Sequence, residues 1–367
     1  MSVIYDPAEL RADLHEMPEL SMQEVRTAAY AAEKLEALGL KVERGVGGTT
    51  GLTAVIEGTE PGPVVMLRAD MDALPFVIDG KDCAIHACGH DAHTAMLLAA
   101  ASRLVGKVKR GKLKLVLQPA EETCAGAKAL IAAGILDDVD YVLGAHIRPI
   151  QDLPAGKVCS GVRHTASYTF RVTVKGRGAH AARPHLGVNA IDAGGAIVAA
   201  VQAIWLNPTG VWSAKATQFH ADAGGTNIVP DRATITFDVR AQTNELMNEY
   251  QEKIKAAVEY AAKAHGAEAE IETLITCPAA VYDEDFKAEV GDAIREVLGD
   301  DALAADCGGG GEDFHCYKLA KPSMKAAYFG VGVGATPGLH APNMTFDPKY
   351  LINGVKVFEA VVLKHLG

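Results

Sequence analysis

The first part of the chain alternates between apolar residues at helical spacing and short, continuously apolar runs. MQEVRTAAYAAEKLEAL (22–38) and HTAMLLAAASRL (93–104) repeat apolar side chains at the spacing of a helix. PVVMLRAD (63–70), KLKLVLQP (112–119) and DYVLGAH (140–146) are apolar runs that carry polar residues at an end. Such runs are typical of parallel strands that are buried on both faces. The alternation predicts an α/β domain with a parallel-rich sheet.

The pattern changes near residue 164. In SYTFRVTVK (167–175) every second residue is apolar, which is typical of an antiparallel strand with one face in water. Further helical and strand patterns follow this strand. The helices are expected at 188–205 and 244–266, and the strands at 234–241 and 267–275. This part of the chain therefore predicts a compact α+β sandwich.

The α/β pattern returns after Pro278. Helices are expected at 283–298 and 348–366, and a strand at 325–331. We therefore predict one α/β domain made of residues 1–163 and 278–367, with residues 164–277 inserted into it as the α+β sandwich.

Composition and charge exclude several classes of partner. The chain has 367 residues and a net charge of -11, and it has no long Lys/Arg run, so neither nucleic acid nor an anionic membrane is expected as a partner. No apolar run approaches the ~18–20 residues that span a bilayer. The N-terminal residues do not resemble a signal peptide. Seven scattered cysteines without a CxxC pair favour free thiols in a reducing compartment, so we expect a cytoplasmic protein.

Polar clusters follow the predicted strands and occupy nearby loops. They are RADMDALP (68–75), IHACGHDAHT (85–94), QPAEE (118–122), GAH (144–146) and GLHAPNMTFD (338–347). Sites in open α/β sheets form at the carboxyl ends of strands, so these clusters are expected to converge on one crevice. GGGGEDF (308–314) lacks the Lys of a phosphate loop, and we expect Glu312 or Asp313 to cap the next helix.

The residue types in these clusters indicate a metal site. Cys, His and Glu suit Zn, Mn, Co or Ni better than Ca or Mg. The candidates are spread along the chain and include surplus carboxylates, which favours a catalytic site with open positions over a closed structural zinc site. The adjacent Glu121 and Glu122 cannot point the same way, so one can bind metal while the other takes a proton from a metal-bound water.

Six motifs together resemble the M20 metallopeptidase family, in particular its amidohydrolase subfamily of aminoacylases, hippurate hydrolases and auxin-conjugate hydrolases. In chain order they are RADMDALP, HACGHDAHTA, QPAEE, GAHAARPH, NIVP and GGEDF. The resemblance covers nearly the whole chain. It implies a hydrolase of N-acyl amino acids that uses two divalent transition-metal ions. It also implies a catalytic metal-binding domain interrupted by a smaller lid and dimerisation domain, and hence a homodimer.

The resemblance assigns roles to individual residues of the catalytic domain. Glu121 matches the general base. Asp72 matches an aspartate that orients a ligand, although a simple turn residue before Pro75 is the alternative. Five residues match metal ligands: Cys88, His90, Glu122, His146 and His340. A thiolate at Cys88, where the wider family has a carboxylate, should favour soft metals over Mg.

In the inserted domain, the resemblance implies three substrate-binding residues. His180 matches a histidine that polarises the substrate carbonyl, often in the partner subunit's site, and the alternative is a loop histidine bonded to backbone. Asn227 and Arg240 match positions that contact the carboxylate side of the substrate. For Arg240 the alternative is an ion pair with Asp238 on the same strand face.

Three functions remain open on the sequence. The first is an amidohydrolase acting on a small N-acyl amino acid, and the second is a dipeptidase or peptidase with the same chemistry. The third, a non-catalytic metal-binding or ligand-binding protein, is disfavoured because such a protein needs no general base. The segment FVIDGKDCAI (76–85) is shorter than in many relatives, which is expected to reshape the pocket for the acyl group.

Overall fold

The structure is a computed structural model that describes residues 3–367. The chain folds into two compact units, one formed by the segment up to Arg163 together with Val281–Gly367 and one formed by His164–Ala280. The sequence-based boundaries were placed at 163/164 and 277/278.

The helices are, in chain order, α1 (Pro7–His15), α2 (Val25–Ala37), α3 (His90–Leu104), α4 (Gly126–Ala132), α5 (Ala190–Gln202), α6 (Asn244–Ala264), α7 (Glu284–Leu298), α8 (His315–Ala320) and α9 (Leu351–Leu366). The strands of the first unit before the insertion are β1 (Val42–Arg44), β2 (Leu52–Glu57), β3 (Glu60–Asp70), β4 (Leu74–Ile78), β5 (Lys81–Ile85), β6 (Arg110–Gln118), β7 (Tyr141–Pro149), β8 (Val158–Cys159) and β9 (Val162–Arg163). The strands of the second unit are β10 (Ala166–Lys175), β11 (Ala179–His180), β12 (Trp212–His220), β13 (Ile228–Val229), β14 (Arg232–Ala241) and β15 (Glu268–Cys277). The last strands are β16 (Leu303–Ala304), β17 (Cys307–Gly308) and β18 (Lys325–Ala335).

The first unit is built on an eight-stranded sheet with the order β1-β2-β6-β3-β7-β18-β8-β16. The central pairs β6/β3, β3/β7 and β7/β18 are parallel, whereas β1, β2 and one side of β8 pair antiparallel. This confirms the predicted α/β class with a parallel-rich sheet. The register pairs Asp70 with Gln118, so the polar ends of two buried strands lie side by side.

The helix α3 occupies the centre of the first unit. Fourteen of its residues are buried, including its polar first turn. The small side chains of AMLLAAA let the sheet and the helices α1 and α9 pack around it. Since α3 begins at His90, the first turn of a fully packed helix carries one of the predicted ligands, and this gives that side chain a fixed position.

A two-stranded hairpin, β4/β5, joins the end of β3 to the CGH segment, residues 88–90. Its turn consists of Asp79 and Gly80, with φ of 52° and 74°. Two positive φ angles in succession are typical of a type I′ turn, for which Asp-Gly is a preferred pair. This hairpin was not predicted, although the Asp-Gly pair is its signal in the sequence.

The second unit contains a four-stranded antiparallel sheet, β12-β14-β10-β15, with α5 and α6 packed against it. The alternation in β10 is confirmed, because Phe170, Val172 and Val174 are buried and Phe170 stacks on Phe237 of β14. This confirms the predicted α+β sandwich. The edge strand β12 was not predicted, because most of its residues are exposed and its apolar alternation is limited to Trp212, Ala214 and Ala216.

Across the part of the chain that the structure describes, no helix combines the length and apolar character that a membrane span requires. Free thiols are confirmed at five positions: Cys83, Cys88, Cys159, Cys307 and Cys316. Cys124 and Cys277 are disulfide-bonded, so the prediction of free thiols is wrong for these two, whose spacing in the sequence gave no sign of it.

Candidate metal centre

The segment Cys88-Gly89-His90 places two of the predicted ligands on either side of a glycine with left-handed backbone geometry. Gly89 has a φ of 89°, in the left-handed region, and immediately precedes α3. A Cβ atom at this position would lie 2.2 Å from Cδ1 of Ile147. Only glycine satisfies both the φ angle and the close contact, and it lets the chain turn between Cys88 and His90.

Replacing Gly89 with alanine is expected to lower the free energy of unfolding by about 2–5 kcal/mol, as the left-handed strain adds to the overpacking against Ile147. Gly39→Ala is the matched control. Gly39 also has a positive φ, 81°, but its Cβ would meet no atom within 4 Å, so only the backbone strain of about 1–2 kcal/mol should appear. Urea unfolding of both variants measures the difference. Equal losses would show that the contact with Ile147 relaxes without cost.

The structure brings the five predicted ligands together within the first unit. Cys88, His90 and His146 form one group, and Cys88, Glu122 and His340 form another; within each group the potential ligand atoms lie within 4.8 Å of one another. The sulfur of Cys88 is 3.5 Å from Nε2 of His146. Oε1 of Glu122 is 3.7 Å from Nε2 of His90 and 3.6 Å from Nε2 of His340.

His340 joins this centre through its backbone. Its amide donates a hydrogen bond to the carbonyl of Ala87, next to Cys88, with an N–O distance of 2.8 Å. Its φ is 64°, which is unusual for a residue other than glycine and indicates that surrounding contacts hold the turn. Its side chain is 56% exposed, whereas that of His90 is fully buried. His340 is therefore the ligand candidate at the open side of the centre.

Two buried donor atoms of the centre have no hydrogen-bond partner among the described residues. Among residues 3–367, Nε2 of His90 and Oε1 of Glu122 are buried side-chain atoms without a hydrogen-bond partner. The other ring nitrogen of His90 lies 3.1 Å from Oδ1 of Asp72, and Nδ1 of His146 lies 2.5 Å from the Ile147 carbonyl. With Nδ1 as donor, each ring presents the lone pair of Nε2 to the centre, which is the usual arrangement of a metal-binding histidine.

Asp72 lies at the junction of three segments of the centre. Its Oδ1 accepts from Nδ1 of His90 and, at 3.1 Å, from the amide of Glu121, while its Oδ2 accepts from the amide of Glu122 and from the hydroxyl of Ser21. Burial alone would raise the pKa of Asp72. The hydrogen bonds from His90 and Ser21 outweigh burial and hold this pKa below its usual value. These contacts fit a residue that orients a ligand better than a simple turn residue.

His93 does not present a free nitrogen to the centre. Its Nδ1 is 2.6 Å from Oδ1 of Asp70, and its Nε2 accepts a hydrogen bond of 2.9 Å from the amide of Ile147. Both ring positions are therefore occupied, and the tautomer is fixed with the proton on Nδ1. Asp70 was not predicted as a site residue, although its place at the end of a buried strand is a signal in the sequence.

Glu121 and Glu122 are largely buried carboxyl groups whose negative charges are not fully balanced by nearby positive charges. Burial, followed by the charges of Glu312 and Glu122, raises the pKa of Glu121 well above its usual value. Burial raises the pKa of Glu122 to about 7, with Asp72 acting in the same direction and His90 against it. A divalent cation beside Glu122 would stabilise its charged form, so the donor set fits a metal centre.

The helix cap predicted for the glycine-rich segment is wrong, because α8 has no side-chain capping hydrogen bond. Oε1 of Glu312 accepts from the amide of Phe314, just before α8, with a distance of 3.0 Å. Asp313 does not cap the helix, because its carboxylate is bound instead by Arg68, Gln118 and the amide of Ala127.

The predicted substrate-binding residues lie in the second unit. His180 is exposed on β11, and the amide of Ala181 donates to the carbonyl of Asn227, so the structure brings His180 and Asn227 close together. Nδ1 of His180 accepts from the amide of Ala182 at 3.0 Å, which leaves the proton of the neutral ring on Nε2. Arg240 lies on β14, in a different sheet, and makes a bidentate ion pair with Asp238 at 2.8 and 2.7 Å.

A parallel-rich α/β unit with clustered Cys, His and Glu side chains beside a buried carboxylate defines the class of metal-dependent hydrolases. The chain belongs to the peptidase family M20/M25/M40, whose model matches residues 66–364. This confirms the predicted family and the predicted enzyme class, a metal-dependent amidohydrolase.

Individual relatives agree with this membership. The chain is 33% identical to an N-acetylcysteine deacetylase of Bacillus subtilis, over 93% of this chain and 92% of the relative. It is 32% identical to a hippurate hydrolase of Campylobacter jejuni, over 98% and 96% of the two chains. A crystal structure of a Bacillus subtilis protein described as a dinuclear metal-binding peptidase of the M20 family has a TM-score of 0.80 and 29% identity, and the match covers 98% of this chain and 97% of that one.

Proposed function

We propose that this protein is a two-metal amidohydrolase that cleaves the amide bond of N-acyl amino acids, with Glu121 as the general base. The observation that carries the proposal is the grouping of Cys88 with four other proposed ligands, beside the buried carboxylate of Glu121. Glu121 also groups with His90 and Glu122, and we assign it the role of base. The names of the relatives, N-acetylcysteine deacetylase and hippurate hydrolase, support an N-acyl amino acid as the substrate class.

The proposed ligands are Cys88, His90, Glu122, His146 and His340. Cys88 belongs to two of the donor groups, one with His90 and His146 and one with Glu122 and His340. Cys88 could therefore help to hold an ion with either group. When bound, divalent ions of this kind lower the pKa of a coordinated water toward ~7 and polarise the carbonyl of the amide.

The residues of the chain perform the remaining steps. Glu121 accepts the proton of the attacking water and returns it to the leaving nitrogen, so that a carboxylic acid and a free amine are formed. Burial and the charges of Glu312 and Glu122 raise the pKa of Glu121, which makes its carboxylate a stronger base. Asp72 holds the ring of His90 and, through the two backbone amides, the segment that carries Glu121 and Glu122.

We assign His180, Asn227 and Arg240 to substrate binding. The Nε2 proton of His180 can donate to the oxyanion that forms on the substrate carbonyl, since Nδ1 is already occupied by the amide of Ala182. Arg240 would have to share its guanidinium between Asp238 and the substrate.

We also propose a homodimer formed through the inserted unit. Sedimentation equilibrium that finds only monomers would contradict it.

A substrate panel tests the function. N-acetyl and N-benzoyl amino acids are expected to be hydrolysed with a kcat/KM at least ~10-fold higher than dipeptides that carry a free α-amino group, since burying an unpaired ammonium group in such a site is unfavourable. Release of the free amino acid by metal-reconstituted protein is the measurement, and each N-acyl substrate is matched with the dipeptide of the same C-terminal residue. Preference for dipeptides would favour the alternative, a peptidase. That alternative is supported by the description of the Bacillus subtilis crystal structure as a dinuclear metal-binding peptidase.

A further inference from the structure

A fully buried arginine lies behind the proposed catalytic base. Arg68 follows the apolar core of β3 near its carboxyl end, and its side chain has no exposed surface. Nη1 is 2.6 Å from Oδ2 of Asp70, and Nε donates to Oε1 of Gln118 at 2.8 Å. Nη2 is 3.0 Å from Oε1 of Glu312 and 2.8 Å from Oδ1 of Asp313. Removing a guanidinium from water is costly, and only a complete set of partners makes it tolerable.

The network around Arg68 continues to both ends of the segment that carries Glu121. Asp313 accepts from Nε2 of Gln118 at 2.8 and 2.9 Å and from the amide of Ala127 at 3.0 Å. Gln118 and Ala127 lie on opposite sides of Glu121 in the sequence. The amide of Asp313 itself is 3.4 Å from Oε1 of Glu121. Asp313 therefore fixes the segment at both ends and contacts the proposed base directly.

The charges show why an arginine is needed at this place. Carboxylate oxygens of Glu121, Glu312 and Asp313 lie within 4.8 Å of one another. Three carboxylates at this spacing repel one another strongly in a buried environment. The single guanidinium of Arg68 contacts two of them and allows them to stay beside Glu121.

We propose that Arg68 is a positioning residue for the catalytic base: by holding Glu312 and Asp313 it sets the orientation of Glu121. The proposal rests on the proposed role of Glu121. It also explains a contact set that neither the ligands nor the substrate-binding residues require. The hydrogen bonds and ion pairs of Arg68 with the described residues go to Asp70, Gln118, Glu312, Asp313 and Tyr328 and not to the five proposed ligands, so its effect should fall on turnover and not on metal content.

The first test is Arg68→Lys. Lysine keeps the positive charge but is a point charge on a flexible stem, so it cannot reproduce the fork that binds Asp70, Gln118, Glu312 and Asp313 together. We expect kcat to fall ~10–100-fold, the size of effect that a misplacement of about 1 Å produces, with KM and the metal-to-protein ratio within about threefold of wild type. Thr53→Val is the control, because it removes another buried hydrogen bond of the same sheet, from Thr53 to the Leu115 carbonyl, and should leave kcat unchanged.

The second test separates positioning from a general loss of structure. In a Glu121→Gln background, Arg68→Lys should lower the residual single-turnover rate by less than about twofold, because a residue that acts through Glu121 has nothing left to position. If Arg68→Lys lowered the rate of the Glu121→Gln variant by the same factor as it lowers kcat of the wild type, the proposal would be overturned. A wild-type kcat for Arg68→Lys, or a parallel loss of bound metal and kcat, would also overturn it.

Asp313→Asn provides the same test if Arg68→Lys does not fold. It removes one charge from the network while keeping the shape of the side chain, and the same pattern of kcat, KM and double-variant effects is expected. The outcomes distinguish the two proposals. A fully active Glu121→Gln variant would contradict the proposed function, in which Glu121 is the general base. An inactive Glu121→Gln variant combined with wild-type kcat in Arg68→Lys or Asp313→Asn removes only the role of Arg68.

Discussion

Glu121→Gln is expected to lower kcat by ~10²–10⁴-fold while the protein keeps its metal, because an amide cannot accept the proton of the attacking water. Burial holds Glu121 in place, and glutamine has nearly the same shape, so the fold should be unchanged. The measurements are steady-state kinetics on N-acyl amino acids and the metal-to-protein ratio of the same sample.

Glu296→Gln is the matched control for this variant. Glu296 lies on α7 and is exposed, so the substitution removes the same charge at a place where burial adds no cost. Wild-type kcat is expected there. If metal-loaded Glu121→Gln also turned over at the wild-type rate, another group would have to be the base.

Removal of metal is expected to abolish activity, and Mn²⁺, Co²⁺, Ni²⁺ or Zn²⁺ should restore at least ~10-fold more of it than Mg²⁺. The reason is the buried sulfur of Cys88, which belongs to two of the donor groups and prefers softer ions. A second measurement does not depend on activity. Metal at 100 times its dissociation constant should raise the free energy of unfolding by about 2.7 kcal/mol for each site.

Cys88→Asp is the variant that isolates the sulfur. A carboxylate at this position should raise the activation by Mg²⁺ relative to that by Zn²⁺, while the other four proposed ligands are kept. An unchanged metal preference would show that Cys88 does not bind the ions. A fully active enzyme with one ion per chain would contradict the proposal of two.

Local pattern was sufficient to predict the parallel sheet. The runs at 63–70 and 112–119 correspond to Glu60–Asp70 and Arg110–Gln118, because the buried parts of parallel strands are nearly continuous in apolar residues. The exposed edge strand β12 could not be predicted in this way. Its apolar alternation is limited to Trp212, Ala214 and Ala216, and most of its remaining residues are exposed.

The predicted ligands came from motifs, whereas the contacts that hold them did not. The bond from the His340 amide to the Ala87 carbonyl and the ion pair of Arg68 with Asp313 join residues that are about 250 positions apart. Such contacts depend on how the strands pair, and periodicity within a segment carries no information about them. Arg68 was visible in RADMDALP, but only the structure shows that its partners are carboxylates beside Glu121.

The order of these residues along the chain has a consequence for synthesis. His340, Glu312 and Asp313 all follow the inserted unit, whereas Cys88, His90 and Glu121 precede it. A ribosome must therefore complete residues 164–280 before the first unit can close its centre. Until then the sheet that contains β3, β6 and β7 is incomplete, because β7 lacks its parallel neighbour β18. During translation the growing chain thus exposes an unpaired, aggregation-prone sheet edge. Chaperones that shield such edges should improve the yield of active protein.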